Sequence, residues 1–255
     1  AVLAACGSDS DGSSTSSAAT ASTAGTTAPS SADSTAASTV STAGTTADLA
    51  IVPTETAGPY PGDGSNGKNV LTESGVVRSD IRSSIGDASG TAEGLTTTVT
   101  LTVLDSTQQY QPFSGAVYIW HANRDGKYSM YSDGVTAQNY LRGVQELDTT
   151  GAATFTSIFP GCYDGRWPHI HFEVYPSLDD ALAASKLTTT SQIALQQDAC
   201  EVAYTADGYS ASITNLTRVS LASDMVFGDD GGIHELATMS GDATNGYSIG
   251  LTIAV

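Results

Sequence analysis

With 255 residues, 40% of them hydrophobic, the chain is long enough to bury one sizeable core and short for two. Its 27 acidic residues against 9 basic ones give a net charge of −18, which repels phosphate backbones and anionic lipid surfaces and argues against nucleic acid as a partner. Charge of this sign is silent on fold and reads as a solubility device.

The chain opens AVLAACGSDSDGSS, in which Leu3, Ala4, Ala5 and Cys6 resemble the lipobox that closes a bacterial lipoprotein signal peptide. On that reading residues 1–5 are the remnant of the signal, Cys6 carries lipid, and the protein is exported as a cell-surface or periplasmic lipoprotein. The abrupt change to Gly, Ser and Asp after Cys6 favours processing over a chance apolar patch. No later run approaches the roughly 20 apolar residues of a membrane span, so membrane attachment is expected only through this anchor. Residues 6–47 are expected to be a disordered tether. From 7 to 47 Ser, Thr, Ala and Gly dominate without one aromatic, and STAGTTA occurs at 22–28 and again at 41–47. That composition cannot bury enough apolar surface to offset its ordering entropy, so a flexible coil with a reach on the order of 35 Å is expected rather than a folded repeat.

Residues 48–255 read as one folded domain. Residues 97–104, TTVTLTVL, place Val99, Leu101 and Val103 on one face, and 247–255 repeat the alternation through Ile249, Leu251, Ile253 and Val255. Residues 116–120, 154–158 and 170–175 are further strand candidates, set off by turns such as Asp125-Gly126 and Asp133-Gly134. Many short strands with such turns predict an all-β fold, an antiparallel β-sandwich core with short helices and long loops. Residues 178–186 and 192–204 are read as the helices, the first behind Ser177 as N-cap with Asp179 and Asp180 in its first turn. Setting Cys6 aside, Cys162 and Cys200 form an even pair, and in an oxidising compartment a disulfide between them is the working expectation. Two buried free thiols, or Cys162 as a metal ligand, are the alternatives.

Residues 160–175, PGCYDGRWPHIHFEVY, gather Tyr163, Arg166, His169 and His171 into one short stretch. On a strand, His169 and His171 leave the same face some 6–7 Å apart, within reach of one metal ion. Solvent-facing or hydrogen-bonded histidines explain the same spacing. The neighbours narrow the choice: WHANRDGKYSMY at 120–131 followed by PGCYDGRWPHIHF at 160–172 resembles the intradiol ring-cleavage dioxygenases, whose W-x-A-N-x-x-G-x-Y, P-G-x-Y and R-x-x-H-x-H segments occur here in order. The resemblance implies that Tyr128, Tyr163, His169 and His171 ligate a non-haem Fe(3+), with Tyr163 as the ligand that departs and Arg166 beside the substrate. TETAGPY at 54–60 resembles the family segment that closes part of the active-site mouth, which puts Pro59 and Tyr60 near the substrate, and Trp167 is a candidate for the pocket wall. The implied partners are a catechol-type molecule and O2, and the implied reaction inserts oxygen between the two hydroxylated carbons to give a cis,cis-muconate.

The residue types suit that chemistry on their own terms. Ferric iron is small, hard and highly charged, prefers anionic oxygen donors, and drives a bound tyrosine far below its free pKa of about 10. Two phenolates with two neutral imidazoles favour ferric over ferrous iron, whereas the 2-His-1-carboxylate set suits Fe(II). Arg166, a permanent cation, can stabilise charge developing on the ring. Each assignment has a rival: Tyr128 and Tyr163 as ordinary turn tyrosines, Tyr131 as the ligand in another register, Arg166 paired with Asp164 or Glu173. His121 reads as a supporting residue and His234 as surface, while Arg124, Lys127 and Arg142 are the cations that could meet a substrate carboxylate. Only six positions separate Tyr163 from His169, a tighter connection than in the catabolic members, which implies a more open site. Two other readings stand beside the dioxygenase. An HxH on an exported sandwich resembles copper/zinc superoxide dismutase, but that family needs six histidines and this chain has 4. The alternative is an exported binding module for aromatic or carbohydrate ligands with a vestigial metal site.

Overall fold

The computed structural model describes residues 49–255, so the signal remnant, Cys6 and the tether expected before residue 48 lie outside the described residues. The element order is β1 (Thr96–Asp105), β2 (Gln111–Pro112), β3 (Ala116–Trp120), β4 (Arg142–Glu146), β5 (Ala152–Ile158), β6 (His169–Tyr175), α1 (Leu178–Leu182), β7 (Thr189–Ala194), α2 (Gln197–Ala203), α3 (Ser210–Leu216), β8 (Thr238–Asp242) and β9 (Gly246–Ala254). One sheet runs β2-β1-β9-β8 with β5 also on β1, and the other runs β4-β3-β6-β7. Their inner faces meet in one core: Val99, Leu101, Val103, Phe155, Ile249 and Ile253 from the first, Val117, Ile119, Ile170, Phe172, Val174 and Ile193 from the second. Each of these side chains contributes about 1.5–3 kcal/mol of burial relative to exposure, which is why period-two alternation decides the architecture. No described helix is long and apolar enough to cross a membrane.

The sandwich expected from the alternation is present, with one departure from antiparallel pairing: β1 and β9 run parallel, from Thr97 opposite Tyr247 to Leu104 opposite Ala254. The helix expected over 178–186 is shorter, ending at Leu182, and begins as anticipated, with the Ser177 hydroxyl accepting from the Asp180 N–H. The helix expected over 192–204 is corrected. Residues up to Ala194 are an edge strand paired to β6, with Ile170 opposite Ile193 and His171 opposite Gln192. Thr189, Thr190 and Ile193 are β-branched and suit a strand, and the helix starts only at Gln197.

Strand β6 is buried on both faces along its whole length. Its inner residues join the main core, and its outer face, with that of β3, lies under a second apolar cluster. Val70, Leu71 and Val76 from the segment before β1, together with Ala181 of α1, pack there on Tyr118, Trp120, Tyr128 and Tyr175. This covering layer turns one sheet face into an enclosed site.

Candidate metal centre

Alternation along β6 sends His169 and His171 to the covered outer face, while Ile170 and Phe172 enter the core. Trp120 lies opposite His171 on β3 and stacks on its ring at 4.8 Å with 4° between planes, which fixes the imidazole. Tyr128 follows in the loop after β3. There the Asn123 carboxamide oxygen accepts from the N–H groups of Asp125 and Lys127, and Gly126 turns the chain at φ 74°. A side chain at Gly126 would come within 2.9 Å of the Tyr163 Cβ, so glycine is required for conformation and for the approach of the two tyrosine loops. The Tyr163 loop is held from the other side by α3, where the Ser212 hydroxyl accepts from the Cys162 N–H and the Asn215 amide donates to the Cys162 carbonyl.

These elements bring four donor atoms together. His169 Nε2 and His171 Nε2 are 3.1 Å apart, and the Tyr128 hydroxyl oxygen lies 3.2 Å from each. The Tyr163 hydroxyl oxygen is 3.3 Å from His169 Nε2 and 3.5 Å from that of Tyr128. Ligands about 2 Å from a common ion at ordinary coordination angles are separated by about 2.8–3.5 Å, so the set has the span of a first coordination sphere. Among the described residues no three His, Cys, Asp or Glu side chains converge on a metal site. A cation here must therefore draw on the phenol oxygens.

The protonation pattern fits the same conclusion. His169 Nδ1 lies 2.5 Å from the Trp167 carbonyl, which can only accept, so the proton is on Nδ1 and Nε2 presents a lone pair to the centre. Burial, then the nearby Arg166 charge, lowers His169 to about 3. Burial followed by His169 lowers His171 further below its ordinary value. Both imidazoles are thus held neutral. Burial raises both phenols above their usual range, Tyr128 far more than Tyr163; the contact between the two hydroxyls raises Tyr128 further and lowers Tyr163, and the Arg166 charge lowers both. Without a metal the centre holds two neutral phenols, and a hard, highly charged cation bound there would supply the field to release their protons. The donor set fits ferric iron.

Around this cluster the expected residues divide. The Tyr60 ring packs 5.0 Å from Tyr128 and 5.2 Å from Tyr131, with exposed Pro59 beside it, so the 54–60 segment does flank the phenol side of the centre. The Tyr131 hydroxyl instead accepts from the Gly62 N–H and donates to Asn66, so the register belongs to Tyr128. Trp167 is corrected: it is buried in the main core and its indole N–H donates to the Leu195 carbonyl, so only its backbone serves the site. His121 is structural, with Nδ1 donating to the Ala122 carbonyl and Nε2 accepting from Ser157; His234 is exposed. Arg124 pairs with Glu93, Lys127 is exposed, and Arg142 is buried among the Pro61 carbonyl, the Tyr118 hydroxyl and Ser129.

The expected Cys162–Cys200 disulfide is also corrected, since both thiols are free and buried. Cys162 Sγ lies 3.5 Å from the Arg166 carbonyl, and burial pushes its thiol up to about 12. Even parity and an oxidising compartment say nothing about the close, directed approach that a bridge requires. Arg166 pairs neither with Asp164 nor with Glu173. Its partner is Asp224, a residue that no sequence signal marked, and Gln192 of β7 joins them. The spatial return of the 220s loop reveals the first, and the pairing of β7 with β6 the second.

No family model matches the chain, and no curated protein does. Among solved structures it is similar to an intradiol ring-cleavage dioxygenase from Tetranychus urticae, with a TM-score of 0.62 at 24% identity over 80% of this chain and 94% of that one. It is also similar to the dioxygenase domain of a dioxygenase carbohydrate-binding protein fusion from the cellulolytic bacterium Streptomyces sp. SirexAA-E, with a TM-score of 0.51 at 18% identity over 81% of this chain and 98% of that one. The match spans the two sheets and the core between them, and the chain has the fold of the intradiol ring-cleavage dioxygenases.

Proposed function

We propose that the protein is a non-haem Fe(III)-dependent intradiol dioxygenase, converting a catechol and O2 into a cis,cis-muconate. Both oxygen atoms enter the product and the bond between the two hydroxylated carbons breaks, so no external reductant is needed. The observation that carries the reading is the convergence of two phenol oxygens and two imidazole nitrogens, with five of their separations between 3.1 and 3.5 Å. Ferric iron held by Tyr128, Tyr163, His169 and His171 would supply a Lewis acid that draws a catechol into its dianion.

The chain's own residues do the rest. Tyr163, half-buried on a loop and the less strongly perturbed phenol, is suited to leave and to take up a catechol proton, while fully enclosed Tyr128 stays in place. Trp120 and the Trp167 carbonyl hold the two imidazoles in one orientation. Tyr60 and Pro59 flank the phenol side and restrict water there. Arg166 offers a fixed N–H donor to charge that develops on the ring. The Leu3-Ala4-Ala5-Cys6 segment supports action outside the cytoplasm, on environmental aromatics.

The test is the visible spectrum and iron content of the purified protein, before and after anaerobic addition of catechol, followed by oxygen uptake. The reading expects a red-brown tyrosinate-to-iron band that shifts to longer wavelength with catechol, then consumption of one O2 per catechol. A colourless protein that takes up no iron and consumes no oxygen defeats it and leaves the binding-module alternative.

A further inference from the structure

Arg166 is held in an unusual way for a group that is to meet substrate. Its Nε donates to Asp224 Oδ2 at 2.9 Å, and its Nη2 donates to Gln192 Oε1 at 2.7 Å and to Asp224 Oδ1 at 3.3 Å. Among the described residues no acceptor is found on Nη1. Asp224 is more confined still, with a side chain of 0% exposure. Besides the guanidinium it accepts from three backbone N–H groups, those of Trp167 at 2.6 Å, Val226 at 2.9 Å and Phe227 at 3.2 Å. A carboxylate tied to the backbone at three points cannot turn, and neither can the edge of the guanidinium that it grips. Phe227 closes a further side, its ring centroid 6.0 Å from the Arg166 Cζ.

We propose that Asp224 is the positioning residue for Arg166: it fixes the Nε/Nη2 edge, leaves Nη1 as the edge open to a molecule at Tyr163, and compensates the guanidinium charge. The consequence, which rests on the dioxygenase reading, concerns substrate class. A catechol meets an aimed hydrogen-bond donor with its charge already balanced, so an anionic ring substituent gains little from Arg166. The other buried guanidinium, Arg142, is engaged with carbonyls and hydroxyls and offers no receptor in its place. The centre therefore favours catechols without a carboxylate.

The experiment compares the iron-loaded full chain with Asp224→Asn and Asp224→Glu. Catechol and 3,4-dihydroxybenzoate are titrated anaerobically by visible absorption, and kcat and KM are measured with catechol. The parent is expected to bind catechol about 10-fold or more tightly than the dihydroxybenzoate. Asp224→Asn, which removes the compensating charge and loosens the grip, should narrow that ratio several-fold and lower kcat by about 10–100-fold, as loss of a residue that orients a reacting group does. Iron content and the resting tyrosinate band should hold, and Asp224→Glu should restore part of both losses. An Asn variant with unchanged ratio and unchanged kcat overturns the proposal. Should that variant fail to fold, the parent decides: equal or tighter binding of the dihydroxybenzoate overturns it, and the expected preference supports it. A parent with no spectral response to catechol overturns the dioxygenase reading and the proposal together, whereas a normal catechol response with no preference overturns the proposal alone.

Discussion

The two sheets share one core and treat their outer faces in opposite ways. On the sheet of β1, β5 and β9 the outward positions are Thr98, Thr100, Thr102, Thr154, Thr156, Ser248 and Thr252, all partly or fully in water. On the β3–β6 sheet they are Tyr118, Trp120, His169, His171, Glu173 and Tyr175, all buried. Hydroxyls in water cost nothing, whereas imidazoles, phenols and a carboxyl removed from water do. Glu173 records that cost, since burial raises its carboxyl to about 7 even with the Tyr175 and Thr190 hydroxyls donating to it. Strand geometry is the same on both sheets, and the difference lies in what was placed over one of them. The covered face is the one whose histidines meet the two tyrosine hydroxyls.

The sharpest way to break this comparison is to remove a donor from the covered face. His171→Ala should lower iron affinity by roughly 100-fold or more, abolish the coloured band and, with it, oxygen uptake on catechol. Because a ligand that binds only the folded chain adds to its stability, chelation should lower the Tm of the parent and leave that of the variant unmoved. A His171→Ala protein that keeps iron and a chelator-sensitive Tm would show that the centre lies elsewhere. One residue further along the same strand the expectation reverses. Phe172→Ala opens a cavity in the core shared by both sheets and should cost about 3–5 kcal/mol in denaturant unfolding, while the folded fraction retains full iron stoichiometry. Loss of iron without loss of stability would mean that the two faces of β6 are not separable.

What was legible in the sequence follows the same division. Period-two alternation located β1 and β9, since a strand buried on its inner face must repeat apolar residues at alternate positions, and short segments set off by Gly and Asp/Asn turns located β3, β5 and β6. Short β4, with Val144 as its main apolar residue, and edge strand β7, rich in Thr and Ser, carry too little pattern to be seen. The four donors were legible because they crowd into two spelled segments. Asp224 and Gln192 were not, since Asp224 lies 58 residues from Arg166 and Gln192 lies 26, and nothing local signals either contact. The cysteines misled because parity is a property of composition and a bridge is a property of distance.

A smaller effect sharpens the comparison through pH. Glu235, in the turn before β8, is buried with its Oε1 accepting from the Ser191 hydroxyl at 2.9 Å. Burial first, then the neighbouring acids Glu55, Asp230 and Asp229, raises its carboxyl from 4.5 to about 8. A raised pKa means that the native state holds the proton more tightly than the unfolded chain. The stability that this proton contributes is complete below 4.5 and is lost as pH rises to about 8. Glu235→Gln copies the protonated form, so the Tm of the parent should fall across that window and that of the variant should fall less, by a few degrees. Parallel curves would place the titrating group elsewhere.

The smallest expected effect is on the open face, and for that reason it tests the comparison most directly. Thr100 and Thr154 face each other with their hydroxyls 3.0 Å apart, at a site where water competes for both. Thr100→Val removes that bond and substitutes an isosteric β-branched residue of high strand preference, so the lost hydrogen bond and the gained propensity nearly cancel. Stability should stay within about 0.5 kcal/mol of the parent and iron content should not move. A loss of 2 kcal/mol or more by denaturant unfolding, well above the order expected for a water-exposed pair, would mean that the threonine face is engaged by something that depends on its hydroxyls. The contrast between a solvated sheet and a covered one would then fail at the sheet that looked simplest.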